Sequence, residues 1–431
     1  MRVAVVGAGF SGLRAAMLLQ RRGVETVVFE ARTRLGGRCE TVTEEDGTLY
    51  EAGGEWIDAD HARVLGLLRE FDQEPVSRPE WPRRLRYRGR ECTEATIWQD
   101  ALEDDLRVES AAREMCRDLR VPVWANGNAH DLDARNLGDF LREHTQSERG
   151  LWWVNTKYRS DEGDDPDAIG LLGWLGGFMH YLDREGDELS SYRFPGGTSA
   201  LCGRMAQTLE SEVRFGRVLR RVTQDERGVT LRFEDGTWER FDRTVLTLPP
   251  RPLENVVFEP ALGSAKRCAI EACGTSRAIK IALRYERPWW TEAGWGGSMQ
   301  TDGPVQQTWD GSLGTGAVLN LYLCGEDALD WLAQADPVRA AAFEIASIYP
   351  ESSNLFRSGT VHDWIHDTYA RGAFSHLAPG YVVDHMPHIA PPEGRVHFAG
   401  EHTANWVGFI EGALESAERV IEEILHAESR P

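Results

Sequence analysis

Residues 1–12 read Met-Arg-Val-Ala-Val-Val-Gly-Ala-Gly-Phe-Ser-Gly. Val3 to Val6 are apolar and largely β-branched, the composition of a strand buried on both faces. Gly7 permits a tight turn, Gly9 lets backbone approach a phosphate, and Gly12 lets the following helix pack on the strand. That helix opens at Ser11, and the free N–H groups of its first turn face the anion. It runs to Arg22 and ends at Gly23. Val24 to Phe29 then reads as a second strand, closed by Glu30 eighteen residues past Gly12. An acid in this place accepts from a ribose hydroxyl and repels the 2′-phosphate of NADP. The competing reading is a βαβ unit with a solvated acidic end and no ligand. Residues 397–412 read His-Phe-Ala-Gly-Glu-His-Thr-Ala-Asn-Trp-Val-Gly-Phe-Ile-Glu-Gly, and this far end of the chain is expected to complete the same site.

Directly after Glu30 comes Ala-Arg-Thr-Arg-Leu-Gly-Gly-Arg, residues 31–38. Gly36 and Gly37 bring backbone close to a ligand, while Arg32 and Arg38 supply charge for phosphates. This stretch, beginning at Ala31, resembles the extended flavin fingerprint of the amine oxidase family, which includes monoamine, polyamine and L-amino acid oxidases. Gly400-Glu-His-Thr403 and Glu411-Gly-Ala413 resemble that family's C-terminal flavin motif. The resemblance implies an α/β fold, a Rossmann-type FAD-binding domain interleaved with an α+β substrate domain of mixed sheet plus helical insertion. Residues 1–58, 192–262 and 360–431 fall to the first domain and 59–191 and 263–359 to the second, whose helical part is 60–190.

Composition sets further bounds. A chain of 431 residues with a net charge of −21 lacks the basic face that nucleic acid or an anionic membrane requires. Seven scattered cysteines, with no CxxC pair, indicate neither a disulfide framework nor a zinc site. No metal is expected, and a cytoplasmic location follows. With the first strand at residue 2 no leader is expected, and no apolar run reaches membrane-spanning length.

His61 to about Ser191 carries the period of amphipathic helices, with Asp161 to Asp167 as an acidic loop. Phe194-Pro-Gly-Gly-Thr198 opens a further helix, its glycines fitting either a close approach to cofactor or a simple turn. Val218 to Val222 and Val229 to Phe233 alternate as strands, with Asp235-Gly236 as a hairpin turn. Family register sets the backbone of Val218 at the adenine edge.

Lys280 lies in the alternating strand Ile279-Lys-Ile-Ala-Leu283, at the place of the family lysine that reaches flavin N5 through water. A cation there favours negative charge developing on oxygen; the competing reading is a solvated edge-strand lysine. In Tyr369-Ala-Arg-Gly-Ala-Phe374, Ala373 replaces the cysteine that bonds the flavin in monoamine oxidases, so attachment is expected to be noncovalent. Phe374 and Phe409 match the family's facing aromatic pair, a cage that orients a desolvated amine, although a core role is equally open to each. Gly53, Gly54 and Trp56 match residues near the isoalloxazine. Glu55 and Asp58 are carboxylates that either hold the substrate amine or bond to local backbone N–H groups. Trp364 packs by the flavin in family register, Glu401 meets its ribityl chain, and Ile410 offers backbone N–H to its pyrimidine oxygen. Some amino acid oxidases carry a carboxylate-binding arginine where this chain has Trp56.

The expected activity is FAD-dependent oxidation of an amine C–N bond to an imine, with O2 reduced to peroxide. Substrate and O2 are the small-molecule partners, and a homodimer is the expected assembly. The alternatives are an imine-forming oxidase or cyclase of a natural-product intermediate, and a C–C desaturase on the same fold.

Overall fold

Four parallel strands, in the order Glu25–Phe29, Arg2–Val6, Arg243–Leu246 and Val396–Phe398, form the sheet that carries the glycine turn. Val3, Ala4 and Val5 are wholly buried, because helices and a second sheet cover both faces. The structure, a computed structural model, describes residues 1–79, 81–182 and 190–428. The helix Phe10–Arg21 lies beside the last helix, Ile410–Glu428, through Leu13, Ala16, Leu414 and Ala417. A buried contact between Ser11 Oγ and Ser416 Oγ, 3.1 Å, joins the two chain ends at the turn. Gly7 has φ +107°, and a Cβ on Gly12 would stand 1.9 Å from the Gly7 carbonyl oxygen. Helix and strand therefore approach as closely as backbone allows.

A seven-stranded sheet forms the second layer, in the order Phe356–Asp363, Ala278–Tyr285, Val318–Cys324, Gln307–Asp310, Met299–Thr301, Arg84–Tyr87 and Arg90–Thr93. Ala278–Tyr285 is paired along both edges. Lys280 is thus on an interior strand, not a solvated edge. Helices Gln99–Arg117, Leu137–His144, Glu148–Glu162 and Leu171–Phe178 pack around Val108, Phe140, Trp153 and Leu172.

The helical stretch from His61 onward is interrupted by the hairpin of Arg84–Tyr87 and Arg90–Thr93. Leu85 and Tyr87 alternate along it, and Arg88 and Gly89 both take positive φ, the geometry of a two-residue turn. The end of that stretch, residues 183–189, lies outside the described residues. The paired glycines of Phe194–Thr198 do not border the cofactor cavity described below. A Cβ on Gly197 would meet Thr41 Oγ1 at 2.3 Å, so this turn packs against Thr41 and the buried Glu51, which accepts from Thr198 N–H at 2.6 Å. No helix among the described residues is long and apolar enough to cross a membrane.

Candidate active site

A single cavity of about 1750 Å³ runs from the glycine turn, between the two layers, to the aromatic end of the helical block. Every cofactor and catalytic candidate except Gly12 borders it; Gly12 instead holds helix to strand, as its spacing predicts. At the turn end, Glu30 Oε2 accepts from Ala8 N–H at 2.7 Å and Oε1 from Arg32 N–H at 2.9 Å. It borders the cavity together with Gly7, Gly9, Gly36 and Gly37. Val218 reaches the same end, with its carbonyl already bonded to Glu234 N–H at 2.8 Å.

The two arginines assigned to phosphate are not free for it. Arg32 forks onto Asp367, with Nη1–Oδ2 at 2.9 Å and Nη2–Oδ1 at 2.5 Å. Arg38 pairs with Glu401 at 2.8 Å. Charges spent in these pairs tie the N-terminal stretch to the C-terminal one, leaving backbone N–H groups and the helix dipole for the anion. Burial raises the Glu401 carboxyl, but Arg38, the Ser375 hydroxyl and Gly408 N–H outweigh it and hold the group below its usual range. Trp364 is fixed by a bond from Nε1 to the Ala52 carbonyl at 2.8 Å. Ile410 begins the last helix, at the cavity wall. The residues present fit FAD: an anion cradle without side chains at one end, and a flat slot bounded by Gly53, Gly54, Trp364 and Ile410 at the other.

In that slot Lys280, 6 % exposed, donates to the Gly53 carbonyl at 2.6 Å and to Glu55 Oε1 at 2.9 Å. Glu55 is the centre of this cluster. Its Oε1 also accepts from Trp309 Nε1 at 2.8 Å, and its Oε2 lies 3.3 Å from Arg193. Arg193 sits over the Trp56 ring at 4.4 Å and donates to the Asp310 carbonyl at 2.5 Å. Two cations thus share the Glu55 carboxylate, and the buried Glu51 carboxyl, raised by its burial, lies near Lys280 as well. His362, opposite Lys280 in the sheet, is pushed down to about 4 by burial and by that lysine, so it adds no charge at neutral pH.

Asp58 accepts from Ser190 N–H at 2.7 Å and lies 3.6 Å from His61. Phe374 and Phe409 are both half-buried and both border the cavity. The Phe409 ring meets His61 at 5.3 Å and Trp406 at 5.7 Å, while Phe374 packs on Gly163 and Gly408. Trp153, Tyr158, Trp174, Phe178 and Tyr181 add to the wall; Trp152 turns away onto Tyr87 at 5.0 Å. Sequence reasoning missed Trp309, Arg193, Asp367 and Glu162 as site residues, because no local pattern marks them.

A family model described as flavin containing amine oxidoreductase matches residues 10–425. The flavin-containing amine oxidase B of Sus scrofa is 26% identical over 457 residues, covering 99% of this chain and 86% of its own. The L-amino acid dehydrogenase of Synechocystis sp. is 24% identical over 453 residues, covering 98% and 94%. Among solved structures, wild-type putrescine oxidase bound to putrescine superposes with a TM-score of 0.88 at 22% identity, covering 99% of each chain. Cyclohexylamine oxidase from Brevibacterium oxydans superposes at 0.87 and 24%, covering 98% and 99%. This chain belongs to the flavin-containing amine oxidoreductase family. It is a FAD-dependent enzyme that oxidises the C–N bond of an amine and reduces oxygen to peroxide.

Proposed function

We propose that the substrate is an amine without a carboxylate on its α carbon, held between Phe374 and Phe409 with its α C–H towards a noncovalently bound flavin. The observation that carries this is the charge pattern of the slot. Arg193, the guanidinium nearest Trp56, is committed to Glu55 and to the Asp310 and Ser312 carbonyls, and Arg78, 5.4 Å from the same ring, donates to Ser298 Oγ; neither arginine borders the cavity in which a substrate carboxylate would lie. Phe409 meets His61 and Trp406, and the carboxyls of Asp58 and Glu162 belong to residues bordering the same cavity. FAD, when bound, accepts the hydride; the chain's own residues orient the amine, exclude water with aromatic walls, and keep the cationic Lys280 where oxygen is reduced. Anaerobic mixing with a panel of alkyl and aryl amines and α-amino acids tests this. Bleaching by amines but not amino acids is the expected result, and the reverse preference overturns the reading.

Noncovalent attachment rests on Ala373 and on the state of the nearest thiol. Cys39 borders the cavity, but burial pushes its thiol up to about 12, and a protonated thiol is a poor nucleophile. Acid precipitation is expected to leave the pellet colourless and all flavin in the supernatant. All seven cysteines are free thiols, which supports the cytoplasm as the compartment.

A further inference from the structure

The amine must be neutral at nitrogen before hydride can leave its carbon, so some group has to take the ammonium proton. Both carboxylates suggested for this by the sequence are engaged: Glu55 by Lys280, Trp309 and Arg193, and Asp58 by Ser190 N–H and His61. A third carboxyl remains. Glu162 ends the helix Glu148–Glu162 and borders the cavity. The residue is half-buried, and it lines that space together with Tyr158 and Phe374.

Its position is fixed at the cage. The chain turns at Gly163, φ +68°, where a Cβ would lie 2.4 Å from Phe374 Cζ and 2.8 Å from Ser276 Cβ. Ser276 Oγ donates to the Glu162 carbonyl at 2.8 Å, pinning the backbone against the ring. Among the described residues the Glu162 carboxyl has no hydrogen bond or ion pair. The cations on neighbouring elements are spent elsewhere. Lys157 lies between Asp105 at 3.1 Å and Glu109 at 3.0 Å, Arg159 pairs with Asp165 at 3.0 Å, and Arg277 with Asp164 at 2.7 Å. The charge facing Glu162 is that of Asp161 on its own helix, while Tyr322 on the strand opposite is held neutral by burial.

We propose that Glu162 receives the substrate: its carboxylate binds the ammonium beside Phe374 and then takes one of its protons. An N–H bond breaks, an O–H bond forms, no electron moves, and amine and carboxylic acid are left as a neutral pair. That pair is favoured over the ion pair where both partners are desolvated. Burial, with Asp161, raises the Glu162 carboxyl to about 8, which agrees with a site that prefers the neutral acid until a cation arrives. This assignment rests on the amine-oxidation reading and names its proton acceptor.

The test uses the holoenzyme with benzamidine, a cation that gives up no hydride, and benzyl alcohol as a neutral control, both followed by perturbation of the flavin spectrum. Benzamidine is expected to tighten as pH rises through about 8. E162Q should weaken it by about tenfold or more and abolish that pH dependence, E162D should restore part of both, and benzyl alcohol should bind alike to all three. In thermal unfolding, the folded protein holds this proton where the unfolded chain has lost it. Wild type should therefore lose stability relative to E162Q as pH rises from 4.5 towards about 8. Equal benzamidine binding by wild type and E162Q, or an unchanged pH dependence, overturns the proposal. If no amine bleaches the flavin yet benzamidine still follows Glu162, the cation site stands and the reaction assignment falls.

Discussion

Glu55→Ala is expected to destabilise the folded protein by about 3–5 kcal/mol, the range for removing one partner of a buried ion pair. Glu55 is 3 % exposed and Lys280 6 %. Without the carboxylate, Lys280 and Arg193 face each other across a low-dielectric slot with only carbonyls to bond, and Trp309 Nε1 loses its acceptor. Thermal and denaturant unfolding of the FAD-loaded protein, compared with wild type, gives the measurement. Removing Lys280 as well should recover part of the loss, because E55A/K280M takes both charges of the closest pair out of the slot. A single variant as stable as wild type, or a double variant showing simple additivity, would remove Glu55 from the centre of the cluster. Glu55→Gln should be milder, since it keeps an acceptor for Trp309 and fills the same volume.

The elements most legible in the sequence are those whose physics is local. The strand Arg2–Val6, the turn at Gly7, the helix after it and Glu30 lie within thirty residues, and each follows from its own composition. The candidate cofactor end rests on the same local signals, with family register along 31–38 and 400–413, and its residues come together along one cavity wall. What the sequence hid was pairing at a distance. Arg32 meets Asp367 across 335 residues and Lys280 meets Glu55 across 225; no periodicity announces such pairs, so the two arginines read as free charge and Glu55 as a substrate contact. Glu162 was hidden differently. It sits among Asp161, Asp164, Asp165 and Asp167, a composition that reads as a solvated loop, yet Asp164 is buried against Arg277 and Glu162 borders the cavity where Gly163 packs on Phe374. The hairpin at 84–93 escaped because its arginine-rich alternation is weak beside the strong helical period on either side.

Lys280→Met is expected to slow reoxidation of the reduced enzyme by oxygen by about 10²–10³-fold, the usual effect of removing one preorganised charge from a reacting centre. Reduction by amine under anaerobic conditions should stay within about threefold of wild type, because Phe374, Phe409 and Glu162 are untouched. The ammonium of Lys280 brings a positive charge to the slot, beside Glu55, Arg193 and the buried Glu51 carboxyl. That charge is buried, where its field is poorly screened, and Lys280 is fixed in direction by the Gly53 carbonyl at 2.6 Å. Oxygen arrives uncharged and leaves as peroxide, so a standing positive charge lowers the barrier at the step where negative charge first appears, and it costs no reorganisation then. Methionine keeps the apolar stem and volume while removing the charge. It also leaves Glu55 to Arg193 and Trp309, a smaller disturbance than the loss of Glu55 itself. Stopped-flow absorbance at the flavin band separates the two half-reactions. Equal slowing of both would mean that Lys280 supports the shape of the slot, whereas slowing confined to the oxygen step places its charge where oxygen is reduced.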